Sequence, residues 1–589
     1  MPFPVNRSKY IFKSSKCKIL NLNPFDISII KFVQKSERSV CAVHPPLTTV
    51  TFNSSTEKHV LEVNKSAIQY YTNSSRIQCC VKRLKEDILR LFFSPCRLFH
   101  NVFEMDSESQ FIFVFCLDDN KTIVYQNMHA GVVKVDRFTE DRKRDPNSLN
   151  VILLGIDSMS RLNFYRTMPK TVSYLHTHGW VEMKGYNKVA DNTLPNMMAF
   201  LSGLPLNILR RSQTLDFDNM PFIWKEFSKA GYVTAYAEDQ PLVSTFHCHL
   251  NGFKRLPTDH YFRDYIYVGE MLLMGRGRPP GCIGYKLASE HLFDYLVDFV
   301  TVYKKDPFFG LFWLNQISHN DLNRASGEDD TVLQLMSRLV ETGVMNTTMV
   351  ALLSDHGLRV GDFRRSIHGW YEDRLPLLFI SVPEWYKTQN EVHFSSLLLN
   401  SGRLTSPYDL YLTMKYVLYG RRSTVAAGCK SCFSLFSPVP ADRSCAEAGI
   451  SSHWCTCFPT FDVPHDPSLA LSVVDAINGK LTLDPDINPL FRCAELKLKK
   501  VMYVRRKCGL IFRELVVGVA TEPGGAEFEA TVTEMDSGVT VEDSISRLNS
   551  YGNESSCAYN PTTKLFCHCQ SRHPETVKSD TVNLETHTL

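Results

Sequence analysis

The chain has 589 residues, 44% hydrophobic and 22% charged, a balance that excludes a disordered or fibrous protein and leaves room for one large domain with appendages or for two to three domains. Sixty-five basic against 62 acidic side chains give a net charge of +3, which speaks against a nucleic-acid or polyanion partner. Eighteen cysteines are too many for a reducing compartment unless they serve metals or redox chemistry.

Residues 1–145 form a cysteine- and sequon-bearing accessory region. Its short alternating stretches, such as "QFIFVFCL" and "KTIVYQN", predict antiparallel strands. Asparagine sequons stand at Asn6, Asn53, Asn64, Asn73, Asn120, Asn346 and Asn553. With the paired Cys79 and Cys80 they point to an extracellular or lumenal protein carrying glycans. The opening "MPFPVNRSKYIFKSSKCKIL" has no continuous apolar core, and no stretch approaches the roughly 18 apolar residues of a spanning helix. The expectation is therefore a signal peptide or membrane anchor lying outside this sequence.

The charged segment "DRFTEDRKRDPNS" reads as a linker into a core at 146–460. There "LNVILLGID", "VTAYAED", "PFFGLFWLNQISHND" and "TTMVALLSDHG" are strand-like, and helix-like segments such as "ASEHLFDYLVDFVTVYKKD" and "TVLQLMSRLVETG" separate them. This alternation predicts an α/β fold, a doubly wound, largely parallel sheet flanked by helices. Residues 461–589 are expected to close that sheet with strands such as "KKVMYVRR" and "GLIFRELVVGVA" and to end in a stapled tail. The cysteines from Cys429 to Cys457 and from Cys557 to Cys569 read as disulfides, with a zinc ribbon on Cys429, Cys432, Cys455 and Cys457 as the alternative.

Ligands of such sheets bind at the carboxyl ends of the strands. The strand-like segments end in Asp157, in Glu238 and Asp239, in His319 and Asp321, and in Asp355 and His356. Carboxylates and imidazoles delivered to one edge are a donor set for zinc or manganese. "ADNTLPNMMAFLSGLP" starts a helix at Asn192 or Thr193 with Pro195 in its first turn. Either side chain is a candidate cap, and such a helix start also welcomes a phosphoryl group. "HCH" at His247–His249 supplies too few ligands for a zinc site, and Glu238 and Asp239 are either groups that orient the ligands or ordinary strand-end acids. Arg374 of "EDRLP" is open to two readings, a phosphate contact or an ion pair with Glu372 or Asp373.

"LLGIDSMSRLNF", "ADNTLPNMMAFLSGL", "SHND" and "LLSDHGLRVGDF" resemble the alkaline phosphatase superfamily of phosphodiesterases, sulfatases and phosphoethanolamine transferases. "LNPFD", "YAEDQPLVSTF", "GFKRLPTDHYFRDY" and "DRLPLLFISVP" look like its animal domain-of-unknown-function branch, and the resemblance covers roughly residues 15 to 460. It implies one divalent metal, zinc or manganese, on Asp157, Thr193, Asp355 and His356, with the Thr193 hydroxyl as nucleophile. It further implies that His319 and His368 contact substrate, protonate a leaving group or hold a second metal. Asn192 and Arg374 are candidate substrate contacts.

Two departures narrow the family's chemistry. Asn315 stands where two-metal phosphodiesterases place an aspartate, which weakens a second metal site. Thr193, Pro195 and Met197 replace the sulfatase C-x-P-x-R pattern. The leading expectation is a metal-dependent hydrolase or transferase of small-molecule, glycan-linked or lipid-linked phosphate esters. A sulfuric ester hydrolase and a catalytically inactive secreted binding glycoprotein are the alternatives.

Overall fold

The apolar run of "LNVILLGID" is buried from end to end, as a strand covered on both faces must be. In this computed structural model the described residues are 8–74, 76–87, 90–135, 148–205, 215–248, 250–274, 279–420, 425–483, 487–509, 513–559 and 561–572. Asn6, His249 and the linker-like segment 136–147 fall outside them.

The run becomes β1 (Asn150–Ile156), the middle strand of a seven-stranded sheet completed by β2 (Val181–Glu182), β3 (Val233–Glu238), β4 (His260–Tyr261), β5 (Phe308–Leu314), β6 (Thr348–Leu353) and β7 (Leu378–Ser381). The spatial order is β2-β7-β6-β1-β5-β3-β4. Strands β6, β1, β5, β3 and β4 pair in parallel, while β7 runs antiparallel to both β6 and β2. The sheet is thus mixed. Gly155 interrupts the apolar run of β1 because Trp313, its partner on β5, fills the space above it; a Cβ there would lie 1.8 Å from the indole. Around this sheet Ile152, Leu154, Phe299, Phe312, Leu339 and Phe379 belong to one buried apolar cluster.

The chain divides into two compact units, one of residues 1–359 and 366–457, the other of 360–365 and 458–589. In the first, "QFIFVFCL" and "KTIVYQN" form the expected antiparallel hairpin, Phe111–Leu117 against Ile123–Ala130. In the second, Thr460–Val463, Lys497–Lys507, Arg513–Glu522, Glu527–Met535 and Gly538–Arg547 build an antiparallel sheet of their own. Helix Pro467–Leu483 contributes Leu469, Val473 and Ile477 to the same buried cluster as Val517, Phe528 and Val532 of that sheet. These strands therefore do not close the central sheet, as the sequence reading had them do. They hydrogen-bond to one another and bury their apolar faces against their own helix.

Among the described residues eight disulfides pair Cys17–Cys457, Cys41–Cys282, Cys79–Cys116, Cys80–Cys96, Cys429–Cys432, Cys445–Cys455, Cys493–Cys567 and Cys557–Cys569. The zinc-ribbon alternative is overturned, since all four of its cysteines are consumed by these bridges. Among the described residues no helix is long and apolar enough to cross a membrane.

Candidate active site

At the carboxyl end of β1 the chain turns sharply. Asp157 N–H donates to the Leu314 carbonyl of β5 (2.8 Å), and Ser158 takes φ +57°, a left-handed conformation that is costly for a side chain bearing a Cβ. The turn is held by the loop that leaves β6. Ser158 N–H donates to Asp355 Oδ1 (3.1 Å), and Met159 N–H donates to Ser354 Oγ (2.9 Å). Gly357 makes the close approach possible, because a Cβ there would stand 2.2 Å from the Glu372 carbonyl oxygen. The two strand-end loops thereby set Asp157 and Asp355 side by side, both about 1% exposed.

His356 completes the group. Its Nδ1 lies 2.8 Å from the Gly357 carbonyl, to which it donates, so Nε2 carries the lone pair. That Nε2 lies 3.2 Å from Asp355 Oδ2 and 3.9 Å from Asp157 Oδ1. Burial pushes the imidazole down to about 4, which keeps it neutral. Burial, and then the charge of Asp355, raise the Asp157 carboxyl well above the usual carboxylate range.

Helix Thr193–Ser202 delivers the fourth group. Thr193 Oγ1 lies 3.3 Å from Asp157 Oδ1 and 3.3 Å from His356 Nε2. The Asn192 side chain makes no capping bond. Asn196 organises the approach to the helix instead: its Oδ1 accepts from the Val189 and Ala190 amides, and its Nδ2 donates to the Ala190 and Asn192 carbonyls.

The donors fit a divalent cation. One ligand atom from each of Asp157, Asp355 and His356 lies within 4.8 Å of the other two. Asp157 Oδ2 and Asp355 Oδ2 are buried without a hydrogen-bond partner. Two adjoining buried carboxylates with unsatisfied oxygens are an expensive arrangement that a cation relieves. Carboxylate, imidazole and hydroxyl together suit zinc or manganese.

His319 reaches the same place from β5, with Nε2 3.8 Å from Asp157 Oδ2. Its Nδ1 lies 2.9 Å from Asn320 Oδ1, and that carbonyl oxygen can only accept, so Nδ1 is the protonated nitrogen. Burial lowers its pKa. The loop carrying it is shaped by the strand-end acids of β3: Asp239 Oδ1 accepts from the Asn315 amide (2.7 Å), and Glu238 accepts from Asn315 Nδ2 (2.7 Å), the Thr245 amide and the Tyr236 hydroxyl. Glu238 and Asp239 orient this loop, and the side-chain amide of Asn315 is directed at Glu238.

Two further candidates make other contacts. His368, on helix Ile367–Arg374, has Nδ1 3.5 Å from Ser28 Oγ. Among the described residues no hydrogen bond or ion pair joins it to the four converging groups. Arg374 is fully buried; it donates to the His453 carbonyl (3.0 Å) and to Asp373 Oδ2 (3.3 Å) and lies over the Trp370 ring. The phosphate-contact reading of Arg374 therefore gives way to the ion pair, because the guanidinium is committed to the protein interior.

Sequence reasoning missed two cations. Lys188 is buried with Nζ 2.6 Å from Asp373 Oδ1 and 3.1 Å from the Asp191 carbonyl, and burial lowers it to about 8. No sequence signal links residues 188 and 373. Arg359 donates from Nη1 to Asp191 Oδ2 (2.7 Å). It stands four residues beyond Asp355 in "SDHGLR", so this one was within reach of a motif reading.

Over residues 34–502 the sequence matches the family described as "Protein of unknown function (DUF229)", and the chain belongs to that family. This is the domain-of-unknown-function branch expected from the sequence. No curated protein sequence matches the chain. Among solved structures it is similar to a protein in the alkaline phosphatase superfamily from Vibrio parahaemolyticus (TM-score 0.35, 13% identity, 72% of this chain and 89% of that one). It is also similar to the phosphonate monoester hydrolase from Silicibacter pomeroyi (TM-score 0.35, 14% identity, 66% and 90%). A third is the C-terminal periplasmic domain of the phosphoethanolamine transferase EptC from Campylobacter jejuni (TM-score 0.32, 12% identity, 50% and 95%).

Proposed function

We propose that the chain is a one-metal hydrolase or transferase of phosphate esters in which Thr193 is the nucleophile and the carboxyl edge of a doubly wound sheet is the working surface. The observation that carries this reading is the convergence of Asp157, Asp355 and His356 on Thr193 Oγ1, with one oxygen of each carboxylate buried and unpartnered. Asp157, Asp355, His356 and Thr193 would hold a zinc or manganese ion. Bound there, the ion supplies Lewis-acid stabilisation of charge on the phosphoryl oxygens and favours the deprotonated hydroxyl.

The residues provide the rest. Thr193 stands at a helix start, where amides without intrahelical partners face an incoming phosphoryl group. Its hydroxyl proton has Asp157 Oδ1 within 3.3 Å. Attack by Oγ1 on phosphorus breaks the P–O bond to the leaving alkoxide, which takes up the proton that Thr193 gives to Asp157 and departs as the alcohol, and a phosphoryl group is left esterified to Thr193. His319, protonated on Nδ1, presents the lone pair of Nε2 beside Asp157. It takes the proton from the water or acceptor alcohol that then attacks the phosphothreonine, restoring the hydroxyl. Asn315 is tied to Glu238, which leaves a second metal without the acid it would need.

The disulfides among the described residues support an oxidising working environment, outside the cell or in the secretory lumen. Asn53, Asn73, Asn120, Asn346 and Asn553 are exposed there as glycan acceptors. The test is a screen of metal-replete protein on aryl phosphate mono- and diesters and aryl sulfates, beside Thr193→Ala. Turnover of a phosphodiester that the variant lacks is expected. Preference for sulfate, or full activity in the variant, would contradict the reading.

A further inference from the structure

The charges around the four converging groups are unequally available. Arg166 is paired with Glu372, Lys188 with Asp373, and Arg374 with Asp373 and a backbone carbonyl, each cation essentially removed from solvent. The Arg359–Asp191 pair differs, with side chains 19% and 22% exposed. Its two members belong to two of the segments that build the site, the approach to the Thr193 helix and the loop after β6. Asp191 is two residues before Thr193, and Arg359 is three residues after His356.

The pair ties the loop leading into Thr193 to the loop carrying His356, with Arg359 Nη1 2.7 Å from Asp191 Oδ2. A divalent cation would cancel Asp157 and Asp355 and leave a site with no surplus positive charge for a substrate anion. A second metal cannot make up the difference while Asn315 occupies its place and is turned to Glu238.

We propose that Arg359 receives the anionic non-bridging oxygens of the substrate phosphoryl group, and that Asp191 holds the guanidinium in position until they arrive. This rests on the one-metal reading and adds to it a substrate class, the singly charged phosphodiester. One guanidinium beside a neutralised centre matches a monoanion, and its planar fork fits two phosphoryl oxygens. On binding, Arg359 exchanges one oxyanion partner for another. Asp191, already in contact with water, is left solvated rather than stranded in the interior. The pair thus acts as an anion-binding subsite in which the carboxylate competes with substrate.

The experiment measures calorimetric binding of inorganic phosphate to the metal-loaded protein at fixed ionic strength, with metal content determined for every sample. Arg359→Ala is expected to weaken phosphate at least tenfold, and Arg359→Lys to recover only part of the loss. Asp191→Asn, which removes the competitor, is expected to leave phosphate affinity equal or tighter. Opposite signs for the two partners are the signature, since a mere tie between loops would make both substitutions equally damaging. Equal losses, or an Arg359→Ala variant that binds phosphate like the wild type, would overturn the proposal. Wild-type protein that takes up no metal yet binds phosphate through Arg359 would sink the one-metal reading and leave this one standing. Wild-type protein that takes up metal and is indifferent to Arg359 would do the reverse.

Discussion

Thr193 Oγ1 lies 3.3 Å from His356 Nε2, although 163 residues of chain separate them. The contact exists because β1 and β6 are neighbours in the sheet and the helix of Thr193 starts over the same edge. A residue that only orients these loops is consequently a sensitive one. Ser354 accepts from the Met159 amide and donates to Asp355 or the His356 carbonyl. Ser354→Ala is expected to weaken metal binding by roughly 10–100-fold. Zinc titration monitored by thermal unfolding checks this; in the wild type, metal at about a hundred times its Kd adds about 2.7 kcal/mol of stability.

Arg166 and Glu372 form a buried pair at 2.8 Å, and Ser160 donates to the other carboxylate oxygen at 2.6 Å. Arg166→Met leaves that carboxylate buried without its cation, with an expected cost of about 3–5 kcal/mol. The double variant Arg166→Met, Glu372→Leu removes the orphaned charge and is expected to recover most of the loss. Urea unfolding of the two variants decides it.

Acid is expected to destabilise the fold through His129 and His291. Burial, reinforced by the Lys286 charge, holds His129 down to about 3 and His291 down to about 4, against an ordinary value of 6.5. Between pH 6.5 and 4 the unfolded chain takes up protons that the folded chain refuses, so stability falls as the pH falls through that window. Above 6.5 both histidines are neutral in both states and contribute no pH dependence. Urea midpoints measured from pH 7.5 to 4.5 should drop, and His291→Gln should flatten the slope.

Gly357 faces the Glu372 carbonyl at a distance that excludes a side chain. Gly357→Ala is expected to cost about 1–3 kcal/mol by overpacking and, because it displaces the loop of Asp355 and His356, to weaken metal binding as well. Calorimetric unfolding with and without metal separates the two effects. Equal unfolding of wild type and variant in both conditions would contradict the close approach.

The strand ends were legible in the sequence because a strand buried on both faces reads as one apolar run, and the polar residues terminating such runs stand out. Asp157, Asp355 and His356 were found in this way, and the structure brings them together. Direction was not legible. The run "LFIS" of β7 looks the same whether it runs parallel or antiparallel, and residues 497–547 look the same whether they extend the first sheet or build a second. Partners distant in the chain were equally hidden. Cysteine spacing does not encode Cys17–Cys457, and nothing near Lys188 announces Asp373. For Arg374 the ion-pair reading was legible in the neighbouring acids, whereas the His453 carbonyl and the Trp370 ring that fix the guanidinium in the interior were not.

Thr193 is expected to become covalently phosphorylated during turnover. The direct measurement is intact-mass and peptide mass spectrometry of metal-loaded protein quenched with acid during turnover of an aryl phosphodiester. A phosphoryl adduct is expected on the peptide containing Thr193, absent from Thr193→Ala and from protein treated with chelator. Turnover at full rate with no adduct at Thr193, or with the adduct on another residue, would contradict it.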